Sequence, residues 1–483
     1  MRVLYVSTEV YPFVKTGGLA DVNAALPIAL INLDLDVRML LPGLPAFMNA
    51  TSNRKRLVSI GSAFGARKIV IWLARLNDVP VYLIEAPELY GREGNPYTDG
   101  DGLDWPDNPM RFALLSWIAA RFADGIIENW RPDIIHSHDW HAALTTAYLA
   151  ARGGHRPASI FTVHNLSFQG QFLPEIFPAL KLPPHFFTLQ GVEFHGKVNF
   201  MKAGLHYADR ITTVSPSYAQ EIQTSQYGCG MEGVLRSRAG VLSGILNGID
   251  QTVWDPHSDH HLAARYDKKD PSGKIACKHA LCAELGLLCE QSDLLFAVVS
   301  RLTDQKGLDL LLDVLPDLIR RGGRLAVMGS GVPEIEKQFS AAVARYPNKI
   351  AVYIGYDEAL AHRIVAGADV IVVPSRFEPC GLTQMYGLAY GTLPLVRRVG
   401  GLADTVRDVD SKSIAAGVAT GFVIDEAEPE ALAKAYARAF TWWRKPALWA
   451  RLRENAMEQD FSWAASAQHY DEIYRELRPH VLQ

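Results

Sequence analysis

Three stretches follow one another without a break: Leu294-Leu-Phe-Ala-Val-Val299, then Ser300-Arg-Leu-Thr-Asp-Gln-Lys-Gly307, then Leu308-Asp-Leu-Leu-Leu-Asp-Val-Leu-Pro-Asp-Leu-Ile-Arg-Arg321. The first is an apolar run of strand length. The third repeats its apolar residues on a helical period. A second apolar run, Leu325–Met328, comes next. Strand, loop, helix and strand in that order form the unit of a parallel sheet. Further runs stand at Ile350–Ile354, Val370–Val373 and Leu393–Val396, and helical patterns at Glu334–Arg345 and Glu358–Ala366 separate them. Strands this uniformly apolar are expected in a sheet covered on both faces. The first half shows the same habit at Val3–Val6, Val37–Leu41, Ile134–His136, Ile160–Val163 and Ile211–Val214. It also carries a predicted antiparallel pair, Lys68–Leu73 with Pro80–Ile84, around an Asn77-Asp78 turn. The fold class predicted is α/β, with two doubly wound parallel-sheet domains.

The 483 residues suffice for two or three domains. Asn247-Gly-Ile-Asp250 is a turn signal, followed to Asp293 by a polar, weakly patterned stretch. From Pro429 onward the pattern is almost wholly helical. The domains predicted are residues 1–245, residues 246–458, and a C-terminal tail at 459–483. A net charge of −4 gives no electrostatic case for nucleic acid or an anionic membrane. No apolar run approaches the ~20 residues that span a bilayer, and Met1–Ser7 turns polar too soon for a signal peptide. A cytoplasmic protein is expected. Cys229, Cys277, Cys282, Cys289 and Cys380 include no C-x-x-C pair, so reduced thiols are expected rather than disulfides or zinc ligands.

The residues that carry chemistry cluster where strands end. Arg301 and Lys306 lie on the loop after a buried strand, at the edge where open α/β sheets bind ligands. Two cations five residues apart suit a diphosphate, although a solvated loop would look similar. Phe377-Glu-Pro-Cys-Gly-Leu-Thr383 follows the strand Val370–Val373. Cys380, Gly381, Leu382 and Thr383 open a helix whose free N–H groups suit phosphate oxygens, and Glu378 suits sugar or ribose hydroxyls. A capped helix start is the plainer alternative. Gly-Gly-Leu-Ala-Asp occurs twice, at Gly17–Asp21 and Gly400–Asp404. Both copies are expected to set glycine N–H groups at a helix start, and Lys15 ahead of Gly17 and Gly18 has the chemistry for a phosphate. In His136-Ser-His138-Asp139-Trp140-His141 the aspartate falls one position early for a binuclear metal motif, so no metal is expected. Asp139 beside Trp140 suits a sugar ring. His164 and Asn165 stand at another strand end.

Taken in order, Lys15–Val22, His138–His141, Thr162–Asn165, Asn247–Asp250, Arg301–Gly307, Phe377–Gln384 and Gly400–Thr405 resemble the bacterial glycogen synthase and starch synthase family. The matches run in family order over nearly the whole chain. The resemblance implies two Rossmann-like domains facing a cleft, the GT-B fold, with a last helix that crosses back to the N-terminal domain. It implies transfer of glucose from ADP-glucose to the non-reducing end of an α-1,4-glucan, glycogen or maltooligosaccharide, with retention and with no cofactor. By the same resemblance Arg301 and Lys306 neutralise the diphosphate, Glu378 holds the donor sugar, and Lys15 reaches the nucleotide. His164 and Asp139 line the glucose and acceptor site, Asn247 lies at the hinge, and Tyr97 belongs to the donor pocket. Many retaining GT-B enzymes carry a second glutamate eight positions after the first. Here that position is Tyr386, as in the glycogen synthase branch, which weakens any scheme with two carboxylates. The rival readings are a glycosyltransferase with another donor, a metal-dependent hydrolase, and a non-catalytic glucan-binding protein.

Overall fold

The computed structural model describes residues 1–154, 156–290 and 292–478. The chain divides into two compact units. One comprises Met1–Gly248 together with the helix Trp463–Leu477, and the other comprises Ile249–Ser462. Among the described residues no helix is long and apolar enough to cross a membrane.

In the first unit the strand Arg2–Val6 lies between Asp36–Pro42 and Ile134–His138, parallel to both. From this centre the sheet runs one way through Val79–Glu85 to the antiparallel strands Ile69–Leu76 and Lys55–Ile60. It runs the other way through Ala158–Val163, Arg210–Thr213 and Leu242–Gly244, all parallel. The chain thus reverses its direction of travel at Arg2–Val6. The crevice beyond the carboxyl ends of the strands at such a reversal is where open sheets bind ligands. Val3 to Val6 are fully buried, as a strand covered on both faces requires. The helix Trp463–Leu477 packs on Gly18–Ile31 in this unit.

The second unit repeats the plan with six parallel strands. Their order is Ile350–Ile354, Arg324–Gly329, Leu295–Val299, Val370–Val373, Leu393–Arg397 and Phe422–Ile424. The reversal falls between Leu295–Val299 and Val370–Val373. The helix Leu308–Arg320 buries Leu308, Leu311, Val314, Leu315, Leu318 and Ile319 on one face, the 3.6-residue period visible in the sequence.

Two expectations need correction. Cys282 and Cys289 are joined in a disulfide, with Cα atoms 6.2 Å apart. The helix Ser272–Glu284 ends just after Cys282, and the chain doubles back through Gly286 to bring Cys289 alongside. Cysteine spacing alone does not show that reversal. The two Gly-Gly-Leu-Ala-Asp copies also differ in use. The first opens the 14-residue helix Gly18–Ile31, whereas the second opens a helix of only six residues, Gly400–Thr405. Gly400 has φ +44°, and a Cβ there would meet the Glu378 carbonyl oxygen at 2.0 Å. The Gly401 N–H bonds to the carbonyls of Glu378 and Pro379, both at 3.2 Å. The second copy therefore braces the Glu378 loop from behind and does not hold this N–H for a ligand.

Candidate functional site

In the second unit the loops on either side of the reversal are sewn together. Gly307 has φ +64°, and a Cβ there would lie 2.3 Å from the Pro374 carbonyl oxygen, so only glycine lets the two backbones approach. The Arg376 N–H bonds to the Gln305 carbonyl at 2.8 Å, and the Arg376 guanidinium holds the Asp309 carboxylate through two bonds, at 2.7 and 2.5 Å. This stitching brings Lys306 Nζ to 2.6 Å from Glu378 Oε2, which also accepts from Ser375 Oγ at 2.8 Å. Glu378 is buried while Arg301 is exposed, its guanidinium 3.3 Å from Gln305 Oε1. Cys380, Gly381, Leu382 and Thr383 lead into the helix Thr383–Ala389. The Gln384 amide fixes this turn by donating to the carbonyls of Cys380 and Gly381 at 3.1 and 3.0 Å. Tyr386, eight positions after Glu378, stacks on Trp254 at 3.8 Å. That position is committed to packing.

In the first unit Lys15, Gly17 and Gly18 follow the central strand. Lys15 Nζ is paired with Asp21 at 2.9 Å, and Gly17 caps the helix in an extended conformation. The loop is anchored by Glu9, a buried residue absent from the candidates read in the sequence. Its carboxylate accepts from Thr16 N at 2.6 Å, Thr16 Oγ1 at 2.7 Å and the Tyr97 hydroxyl at 2.5 Å. Tyr97 stacks on His141 at 4.8 Å, and its hydroxyl also meets Thr8 Oγ1 at 2.8 Å. Arg111, 1% exposed, holds the Tyr97 loop by donating to the carbonyls of Leu89 and Pro96 at 2.8 and 2.7 Å. The one local signal for Glu9 is its place on the loop just after the apolar strand Arg2–Val6. Arg111 had none, because its partners are distant in sequence.

Beyond Ile134–His138, Asp139 has φ +56°, which strains a residue other than glycine. Its Oδ1 accepts the His164 N–H at 2.8 Å. Burial pushes the Asp139 carboxyl up to about 7, against backbone bonds from His164 and Asn165 that act to lower it. Trp140 lies among Phe112, Tyr97, His141 and Phe172. Asn165 Oδ1 accepts from Ser167 N at 3.0 Å. Asn247 is buried, and its Oδ1 has no hydrogen-bond partner among the described residues. His136, His138 and His141 do not converge as metal ligands: each ring nitrogen that bonds does so to a different protein partner. The first unit thus gathers Lys15, Gly17, Gly18, Tyr97, Asp139, Trp140, His164 and Asn165 at the carboxyl edge of its sheet. The second gathers Arg301, Lys306, Glu378 and Cys380–Thr383 at the carboxyl edge of its own.

Two doubly wound units of this topology, the second carrying Arg301, Lys306 and Glu378 at its reversal point, are the architecture of the GT-B class of glycosyltransferases. Residues 2–237 match the family model for the starch synthase catalytic domain, and residues 288–459 match that for glycosyl transferases group 1. The chain is 51% identical to a glycogen synthase of Francisella tularensis subsp. novicida, over 99% of both chains. It is 50% identical to one of Francisella philomiragia, over 99% of this chain and 100% of that one. The catalytic domain of starch synthase IV from Arabidopsis thaliana, solved bound to ADP and acarbose, superposes with a TM-score of 0.88 at 32% identity, covering 98% of this chain and 99% of that one. A sucrose-phosphate synthase from Thermosynechococcus elongatus shares the fold, with a TM-score of 0.61 at 17% identity, covering 99% of this chain and 98% of that one. The chain belongs to the glycogen synthase and starch synthase family.

Proposed function

We propose that the protein transfers glucose from ADP-glucose to the non-reducing end of an α-1,4-glucan, with retention of configuration. The observation that supports it most is the Lys306–Glu378 pair at the reversal point of the second sheet, 2.6 Å apart on two interlocked loops. In this reading Arg301 and Lys306 neutralise the diphosphate. Glu378 orients Lys306 through Oε2 and accepts sugar hydroxyls with its remaining lone pairs. Lys15 leaves Asp21 for the nucleotide phosphates. Asp139, Trp140, His164, Asn165, Tyr97 and Asn247 take the sugar and the glucan.

As ADP departs, the bond from the anomeric carbon to the phosphate oxygen breaks and its electron pair moves onto that oxygen. Lys306, held in place by Glu378, lowers the barrier beside that charge because it needs no reorganisation when the charge develops. The acceptor's 4-hydroxyl oxygen forms the new bond on the same face, and its proton passes to the leaving phosphate oxygen. No covalent glucosyl-enzyme is formed, and trapping one would overturn this step. Incubation with glycogen and labelled ADP-glucose or UDP-glucose, followed by digestion of the product, tests the whole reading. Faster incorporation from ADP-glucose, into α-1,4 linkages, is expected. Preference for UDP-glucose, another linkage, or no incorporation would refute it.

A further inference from the structure

His164 does not stand alone. Its Nε2 lies 3.0 Å from Nδ1 of His138, a fully buried residue with no role in the chemistry above. The His138 ring stacks on Tyr5 at 4.0 Å, with 26° between the planes, and lies 4.1 Å from His136 at 36°. His136 is pinned in turn by the Tyr474 hydroxyl at 2.8 Å and Thr162 Oγ1 at 2.6 Å. The His138 ring is therefore clamped between Tyr5 and His136. We propose that His138 is a positioning residue that fixes the ring of His164 and places its proton on Nδ1, leaving that N–H for a substrate oxygen.

The proton assignment follows from a count of donors and acceptors. Burial pushes His138 well below the usual histidine range and His164 down to about 3, so near neutral pH each ring carries one N–H. Two neutral rings facing nitrogen to nitrogen share one proton. If His164 donated it from Nε2, the His138 proton would sit on His138 Nε2, which is buried and has no partner among the described residues. Orphaned buried N–H groups are rarer than under-used acceptors. The favoured arrangement has His138 Nδ1–H donating to His164 Nε2, so the His164 proton is on Nδ1. That atom makes no hydrogen bond among the described residues, and it is the group left to meet substrate. A histidine held from behind in this way resembles the outer-shell support that fixes ring orientation and tautomer at metal sites.

The inference rests on the proposed role of His164, and the test separates the two. His138→Phe keeps an aromatic ring in the stack and removes the nitrogen. His138→Asn keeps a polar atom near the Nδ1 position and leaves a void. His138→Phe should keep its thermal midpoint and its KM for ADP-glucose while kcat falls about 10–100-fold. His138→Asn should be the less stable of the two and the more active. Activity that tracks the folded fraction in both variants would reduce His138 to a packing residue. Long-range proton–nitrogen NMR of the unmodified, 15N-histidine-labelled protein, with His164→Gln to assign the signal, reads the tautomer without any change at His138. A directly bonded proton on His164 Nδ1 is expected, and one on Nε2 overturns the assignment. Absence of glucosyl transfer by the unmodified protein would count against the proposed function and leave the NMR result standing.

Discussion

Lys306 and Glu378 have little solvent around them: their side chains are 16% and 8% exposed. Removing the ammonium leaves Glu378 with Ser375, and the loop keeps its Arg376–Asp309 and Gln305 bonds, so the local fold should survive. Lys306→Ala is expected to lower kcat by roughly 100-fold or more, the scale for losing one preorganised charge-stabilising group, while the calorimetric midpoint drops only a few degrees. A loss of activity that disappears on correction for folded protein would make the lysine structural. Asp139 shows the opposite balance. Its carboxyl titrates at about 7 in the fold against 3.8 in its ordinary state. A folded value raised above the unfolded one means that ionisation costs more in the fold. The stability tied to the protonated form is full below pH ~4 and drains away as pH rises to about 7. Asp139→Asn cannot ionise, so between pH 4 and 8 its stability should gain on the parent by roughly 2–4 kcal/mol, even as glucosyl transfer falls. Urea denaturation across that range checks this, and a difference that does not change with pH would show that Asp139 does not titrate there.

Among the elements, the loop before Tyr97 is anchored by one buried guanidinium. Arg111 sits in the first turn of the helix Asn108–Arg121 and reaches back to the carbonyls of Leu89 and Pro96. Arg111→Met would keep much of the volume and orphan both carbonyls. A loss of roughly 2–4 kcal/mol in unfolding free energy is expected, with a higher KM for substrate because the Tyr97 loop loses its anchor at Pro96 while keeping the contacts of the Tyr97 ring and hydroxyl. Denaturant titration and initial rates measure the two effects, and an unchanged KM would detach Arg111 from the site. Contacts of this kind explain what the sequence concealed. The parallel strands could be read because both faces of Arg2–Val6 and Leu295–Val299 are covered, which leaves an unbroken apolar run. The helix Ser272–Glu284 was hidden in a stretch that reads as polar because two of its buried residues are lysines. Lys278 is paired with Asp369 at 2.6 Å, and Lys274 donates to Thr392 Oγ1 at the same distance. Burial brings Lys274 down to about 7, so the usual equation of lysine with surface fails there. In the candidate site, the strand-end loops pointed to Arg301, Lys306, Glu378 and Asp139. Glu9, Arg111 and His138 act through partners up to 88 residues away, and no local period records those.

For the molecule as a whole, the chain leaves the first unit at Gly248 and re-enters it at Trp463, so that unit is built from both ends of the sequence. Its last helix buries Trp463, Ala467, Tyr470, Ile473 and Tyr474, and Ser466 Oγ donates to the Leu246 carbonyl at 2.7 Å. The four large side chains contribute on the order of 6–12 kcal/mol of hydrophobic stabilisation, comparable with the entire stability of a typical domain. The same helix supplies the Tyr474 hydroxyl that pins His136 behind His138 and His164. The second unit's six strands and the Ile249 N–H to Phe461 carbonyl bond, 2.8 Å, are complete at Ser462. A chain ending at Ser462 should therefore lose its first unit selectively. Hydrogen-exchange mass spectrometry should show protection collapsing in Gly18–Ile31 and Ile134–His138 while Leu295–Val299 and Val370–Val373 stay protected, and glucosyl transfer should vanish. Protection lost equally in both units would mean that the second cannot hold its fold without the first. Protection kept in both would mean that the returning helix is an accessory to the first sheet and not part of its core.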